Sequence, residues 1–150
     1  MTSGWEILLR VALAAVFGGV IGYDRRVRNK PAGIRTHMLV AMGSALAVGV
    51  SALVVEETVG AAKADAVRVA AGVVTGVGFL GAGAILRTPS GVRGLTTAAG
   101  IWVTAAIGIA LGFGYYGVAT GSTVLAIIII SLLVDLDHPI EGDTTPPPEA

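Results

Sequence analysis

The chain has 150 residues, of which 54% are hydrophobic and only 13% are charged, with ten basic residues, ten acidic residues and no cysteine. A soluble domain carries about a quarter charged residues, so this chain has too little polar surface for a globule in water. Fibrous, disordered and nucleic-acid-binding proteins are also excluded, as is thiolate or disulfide chemistry, which leaves a multi-pass membrane protein of one domain.

Long runs without charge predict the membrane spans. The runs 38–55 and 69–86 each suit one helix, whereas 94–134 suits two, because a helix crosses the hydrocarbon in about 20 residues. The first segment contains two charges, Glu6 at its start and Arg10 further in, and lacks the basic start of a signal peptide. We therefore predict an all-α integral membrane bundle of five transmembrane helices, at 5–23, 37–55, 69–86, 95–113 and 117–134. Residues 1–134 form this domain, and 135–150 are predicted to be a disordered, acidic, proline-rich tail.

The basic residues of the loops predict the orientation. The first and third loops hold Arg25, Arg26, Arg28, Lys30, Arg35, Arg87 and Arg93, whereas the second loop holds only Lys63 and Arg68. Because basic loops stay in the cytoplasm, we expect the N-terminus outside and the C-terminus inside.

The chain contains 22 glycines, about twice the usual share. Several are spaced four apart, as in Gly18 and Gly22, Gly72 and Gly76, Gly108 and Gly112, and Gly117 and Gly121. Small residues at this spacing let helices approach closely in lipid, which indicates a tight bundle, an oligomer, or both. We expect Gly72, Gly76, Gly78, Gly81 and Gly83 of the third span to pack against another helix; backbone carbonyls opened toward a cavity or an ion are the alternative.

Charges are placed at the span ends, and no Asp, Glu, Lys or His lies in mid-span. Arg10 is expected to snorkel to the outer interface. Asp24 can pair locally with Arg28, and Asp65 can pair with Arg68 on the outer side. The sharper hypothesis is a cytoplasmic polar cluster that suits an anionic ligand or an acidic partner, in which Arg35 and Arg93 approach Asp24, beside Arg25.

Enzyme motifs are missing from the sequence. It contains no HExxH, no GxSxG and no P-loop, and two GxGxxG matches lie within hydrophobic spans rather than in a βαβ unit. Neither His37 nor His138 has neighbours that suggest nucleophilic catalysis. We expect no enzyme, no cofactor and no metal site.

Four blocks of sequence resemble the MgtC/SapB family. They are Gly18-Gly-Val-Ile-Gly-Tyr-Asp24-Arg25, Pro31-Ala-Gly-Ile-Arg35-Thr36-His37-Met-Leu-Val40, the glycine-rich stretch 68–83, and Val92-Arg93-Gly-Leu-Thr96-Thr97-Ala-Ala with Trp102-Val-Thr-Ala-Ala. The resemblance implies a five-span inner-membrane domain of a bacterium or archaeon with its N-terminus outside. The family's polar positions map onto Asp24, Arg25, Arg35, Thr36, Asp65, Arg68, Arg93, Thr96 and Thr97.

The resemblance also implies a role in adaptation to low magnesium, virulence or acid tolerance. Family members are described as magnesium transporters or as regulators that bind membrane proteins such as the ATP synthase. Two positions depart from the pattern: Asp24 stands where Glu is expected, and Arg26 where many members have an acidic residue. We expect a non-enzymatic regulator, with homo-oligomers formed in the bilayer; an Mg²⁺ or other ion transporter is the alternative, and a purely structural module is a third.

Overall fold

The computed structural model describes residues 3–57, 63–89 and 91–132, which form five α-helices and one short hairpin. The helices are α1 (Gly4–Val27), α2 (Ile34–Glu57), α3 (Lys63–Gly83), α4 (Leu95–Gly112) and α5 (Tyr116–Leu132). Strands β1 (Leu86–Thr88) and β2 (Gly91–Arg93) pair antiparallel between α3 and α4, with Leu86 opposite Arg93. The predicted tail, 135–150, lies outside the described residues.

Four of the described helices, α1 to α4, are long and apolar enough to cross a membrane, and α5 is a shorter apolar helix. Many of their large apolar side chains point outward, for example Leu8, Phe79 and Ile129. Outward apolar faces suit a protein whose solvent is lipid. The all-α prediction and its membrane character are therefore confirmed, with α5 as the shorter fifth helix.

The helix ends differ from the predicted spans in ways that matter for the polar residues. Helix α1 continues past Tyr23 to Val27, and α2 already begins at Ile34. Asp24 and Arg35 are therefore helical instead of lying in a loop.

Helix α3 ends earlier than predicted because the chain turns into the hairpin. At Gly94 the chain has φ +91°, and an added Cβ would overlap the carbonyl oxygen of Ala84, so only glycine fits this turn into α4.

Helix α4 packs against all four other helices. A Cβ at Gly108 would overlap the Ala41 carbonyl, and one at Gly18 would overlap the His37 carbonyl, so α1, α2 and α4 touch backbone to backbone. The core that these three helices form with α5 consists mainly of small and branched apolar residues: Ala14, Ile21, Ala41, Ala45, Ile107, Leu111, Ala119, Ala126 and Ile130. The glycine spacing of these helices thus predicts their packing correctly.

Candidate functional site

A buried arginine joins α1 to α4 at one end of the bundle. We call this the basic end; it comprises the turn 28–33, the hairpin and the adjoining helix ends. Arg25, in the last turn of α1, is only 2% exposed, and its Nη2 donates a 2.7 Å hydrogen bond to Oγ1 of Thr97 in α4. Within the described part of the chain, Arg25 Nε is buried without an acceptor.

A buried histidine lies beside this pair. His37, in the first turns of α2, has no exposed surface, and its Nδ1 lies 3.0 Å from the carbonyl oxygen of Gly33. A carbonyl only accepts, so Nδ1 donates and Nε2 of the neutral ring is an acceptor. Among the described residues Nε2 has no donor, and it faces Gly100 of α4, where an added Cβ would lie 3.6 Å away.

Asp24 belongs to a second contact at the basic end. Its Oδ1 accepts a 3.1 Å hydrogen bond from Arg28 Nε, one helical turn along α1. Arg28 Nη2 also donates to the hydroxyl and the carbonyl of Ser131, which ties α1 to the end of α5. The local Asp24–Arg28 pair suggested by the sequence is therefore formed. The other oxygen, Asp24 Oδ2, is buried with no partner among residues 3–57, 63–89 and 91–132.

The structure brings together only part of the predicted cluster. Arg35 and Arg93 are exposed, and neither pairs with Asp24 in the described structure, where Arg28 bonds one oxygen of that carboxylate. Thr96 is exposed and Thr36 is half-buried, whereas Thr97 is buried and accepts the hydrogen bond from Arg25. Of the predicted outer pair, Arg68 is exposed, and the side chain of Asp65 lies outside the described residues.

The glycines of α3 are mostly open. Of the five glycines expected to pack against a helix, Gly81 lies against α4: a Cβ added to it would stand 3.7 Å from the Cβ of Ala98. In the described chain nothing lies within 4 Å of a Cβ at Gly72, Gly76, Gly78 or Gly83. Gly76 borders an apolar groove of about 380 Å³ between α2 and α3. Any helix that covers these four glycines must therefore come from outside the described chain.

Arg10 lies at the opposite end of the bundle and does not snorkel. It is only 9% exposed, and its Nη1 donates a 2.9 Å hydrogen bond to the carbonyl of Gly112, at the C-terminal end of α4. Nε donates to the Tyr116 hydroxyl and Nη2 to the Glu6 carboxylate. The expectation of an interfacial anchor is wrong because α4 and α5 offer acceptors inside the protein.

Over the described ranges, no group of three or more His, Asp or Glu side chains is close enough to share a metal ion. The buried polar side chains at the basic end are instead Arg25, which bonds Thr97, and His37, whose Nε2 faces Gly100.

Five apolar helices with polar side chains gathered at their ends define a multi-pass helical membrane protein. Residues 11–138 match the model of the MgtC family, to which the chain belongs. This match confirms the resemblance carried by the four sequence blocks.

Several curated relatives are similar over most of this chain. "Putative magnesium transporter YhiD" of Escherichia coli K12 is 44% identical over 87% of this chain and 62% of that protein. "Protein MgtC" of Brucella abortus is 42% identical over 91% of this chain and 57% of its own length. "Protein SapB" of Bacillus subtilis is 37% identical over 85% of this chain and 56% of its own length. The chain thus spans less than two thirds of these relatives, and no solved structure matches it.

Proposed function

We propose that this chain is a non-enzymatic membrane regulator that acts by helix–helix association with a second copy of itself and with other membrane proteins of the bacterial inner membrane. The observation that carries this proposal is the open small-residue face of α3. Gly72, Gly76 and Gly83 share one side of that helix at spacings of four and seven residues, with open space where side chains would stand. Glycine faces of this kind let a partner helix approach closely in lipid.

The groove beside this face supports the same proposal. It is lined by apolar side chains of α2 and α3, and Gly43 on α2 is as open as Gly76 on α3. An inserted helix could therefore touch two backbones at once, which favours packing in a solvent that offers no hydrophobic driving force. The family resemblance names the ATP synthase as a candidate partner.

A magnesium transporter is the second candidate, favoured by the name of the Escherichia coli relative. Mg²⁺ keeps several waters and is usually bound by carboxylates. Asp24 Oδ2 at the basic end is a buried carboxylate oxygen without a partner among the described residues, and it lies close to the charges of Arg25 and Arg28. This local positive charge favours the regulator over the cation transporter.

Two measurements on the full chain separate the candidates. Self-association in nanodiscs and binding of purified ATP synthase should both weaken in Gly76→Leu, since a bulky side chain there fills the groove edge. Gly78→Leu is the matched control, because Gly78 lies on another side of α3 and is also open. Mg²⁺ flux into liposomes should match that of protein-free liposomes. Flux well above that level, unchanged by Gly76→Leu, contradicts the regulator and supports transport.

A further inference from the structure

A second apolar groove lies between α4 and α5. It has a volume of about 280 Å³, and its walls are mainly apolar side chains, among them Ala99, Val103, Leu125 and Ile129. A methylene group takes up about the space of a water molecule in the liquid, roughly 30 Å³, so the groove has room for about nine methylene groups. That space suits a large part of one fatty acyl chain of a membrane lipid.

One end of this groove opens at the basic end of the bundle. Thr96, in the first turn of α4, lines this mouth together with Ile129 and Ile130 near the end of α5. The opposite end of the groove, at Val103 and Ser122, lies deeper, because the seven residues from Thr96 to Val103 rise about 10.5 Å along α4. The groove therefore runs from the level of the lipid headgroups into the hydrocarbon, as an acyl chain does.

Arg93 carries a positive charge beside the mouth. It lies three residues before Thr96, and its exposed side chain has no hydrogen bond or ion pair with a described residue. The strand register places Arg93 on the same face of the hairpin as Leu86, whereas Arg87 lies on the opposite face, because side chains alternate along a strand. Arg93 and the hydroxyl of the exposed Thr96 are therefore donors for a phosphate at the mouth.

The charge around the mouth is positive even when its carboxylate is counted. Arg25 and Arg28 bond the adjoining ends of α4 and α5. Asp24 lies beside them: its Oδ1 pairs with Arg28, and its Oδ2 has no hydrogen-bond partner in the described chain. Three arginines thus surround one aspartate here once Arg93 is included, and the sequence contains no acidic residue from 66 to 134. This balance favours an anionic ligand.

We propose that the α4–α5 groove binds one anionic phospholipid. Its acyl chain lies along Ala99 and Val103, and its phosphate accepts hydrogen bonds from Arg93 and Thr96 at the mouth. Basic sites between membrane helices bind anionic headgroups on the cytoplasmic side, which is the side that the loop charges assign to this end. The bound lipid adds a contact between α4 and the short helix α5.

A lipid suits this groove better than a partner helix does. A helix approaches closely where the backbone is open, as it is at Gly43 and Gly76 beside the α2–α3 groove. In the α4–α5 groove the lining glycine is Gly100, and the place of its Cβ already lies within 4 Å of His37 Nε2 and Ile130 Cδ1. Side chains form these walls, and a flexible acyl chain adapts to them. The site is thus separate from the association face proposed on α3.

Native mass spectrometry of the full chain, released from nanodiscs, tests the proposal by counting retained lipids. From an equal mixture of phosphatidylglycerol and phosphatidylcholine, one phosphatidylglycerol per chain should be retained in preference. Glycerol phosphate, which has the anionic headgroup chemistry without acyl chains, should not displace it. Equal retention of the two lipids, or displacement by glycerol phosphate, overturns the proposal.

The first pair of variants tests the groove. Ala99→Leu fills it from an exposed position and should weaken phosphatidylglycerol retention by about tenfold or more, because the acyl chain loses its apolar contacts. Ala82→Leu is the matched control, since Ala82 is exposed near the same end of α3 and lies outside the lining of both grooves. The thermal midpoint shows whether each variant folds.

The second pair of variants tests the mouth. Arg93→Gln should weaken phosphatidylglycerol binding about fivefold, the effect of one cation near an anionic membrane surface, and leave phosphatidylcholine unchanged. Arg87→Gln removes an equal charge from the opposite face of the hairpin and should keep wild-type retention. Both arginines are exposed, so these variants are expected to fold and the test stands even if Ala99→Leu does not. Equal effects within either pair overturn the proposal.

Two other occupants of the mouth give different results. Asp135 and Asp137 follow α5 in the sequence, outside the described residues. If these carboxylates bind Arg93, phosphatidylglycerol is retained only after both are changed to asparagine. If a partner helix fills the groove, the spectrum shows a lipid-free dimer that Ala99→Leu dissociates. Either of these two results overturns the lipid site.

Discussion

The guanidinium of Arg10 on α1 donates a 2.9 Å hydrogen bond to the carbonyl of Gly112 at the C-terminal end of α4. Carbonyls at the end of a helix have no partner within the helix and carry partial negative charge, so a cation there is stabilising. The same side chain bonds Tyr116 and Glu6, and thus joins α1, α4 and α5.

Replacing Arg10 by leucine should destabilise the bundle. The loss leaves the buried Gly112 carbonyl unpaired, at a cost of about 1.5–3 kcal/mol in the free energy of unfolding. Denaturant titration in detergent, or the thermal midpoint, measures this change. Tyr116→Phe is the matched control, since it removes a single hydrogen bond and should cost about 1 kcal/mol. Wild-type stability of the leucine variant would show that Arg10 is only an interfacial anchor.

A second prediction compares two glycines that sequence spacing alone does not separate. Gly108→Leu should abolish folding or lower the thermal midpoint sharply, because even a Cβ overlaps the backbone of Ala41. Gly78→Leu should leave the folded monomer unchanged, because open space surrounds that position in the described chain. Size-exclusion chromatography and thermal unfolding of both variants check the prediction. Similar losses in the two variants would contradict the packing described for α4 or for α3.

The sequence predicts the five helices and the family because the charge-free runs and the four motif blocks are local signals. It does not predict the hairpin, since strands as short as Leu86–Thr88 have no periodicity to detect. Spacing shows which glycines share a helix face, but not whether that face looks inward. Gly108 and Gly112 face α2, whereas Gly72 and Gly76, with the same spacing, face open space.

For the candidate site, the sequence shows which residues belong to the motif but not which of them are buried. The family motif contains Arg25, His37 and Thr97, but the sequence carries no signal that His37 is buried. Its burial follows from the earlier beginning of α2 and from the glycine contact between α1 and α2. Both depend on tertiary packing, which a single sequence does not reveal. Arg35 and Arg93 carry the same charge as Arg25 but are exposed, so charge alone does not identify the buried residue.

The membrane orientation is the third prediction. Reporter fusions at the C-terminus should be active only in the cytoplasmic form, and a reporter inserted after Gly60, between α2 and α3, only in the external form. The reason is that basic residues concentrate in the first and third loops. A C-terminus found outside would mean that the short helix α5 does not complete a crossing.

The last prediction concerns the two exposed arginines of the basic end. The side chains of Arg35 and Arg93 are exposed and have no hydrogen bond or ion pair with a described residue. Changing them should therefore leave the thermal midpoint within about 1 °C, as surface substitutions usually do. If they bind an acidic surface or a phosphate group from outside the chain, lysine will serve poorly, because it lacks the planar fork that makes two parallel hydrogen bonds. We therefore expect Arg35→Lys and Arg93→Lys to impair growth at low magnesium while the protein level stays normal. Arg26→Lys, exposed at the same end but outside the motif positions, is the control and should grow like wild type. If both test variants support full growth, these arginines only anchor the protein in lipid headgroups, where lysine serves as well as arginine.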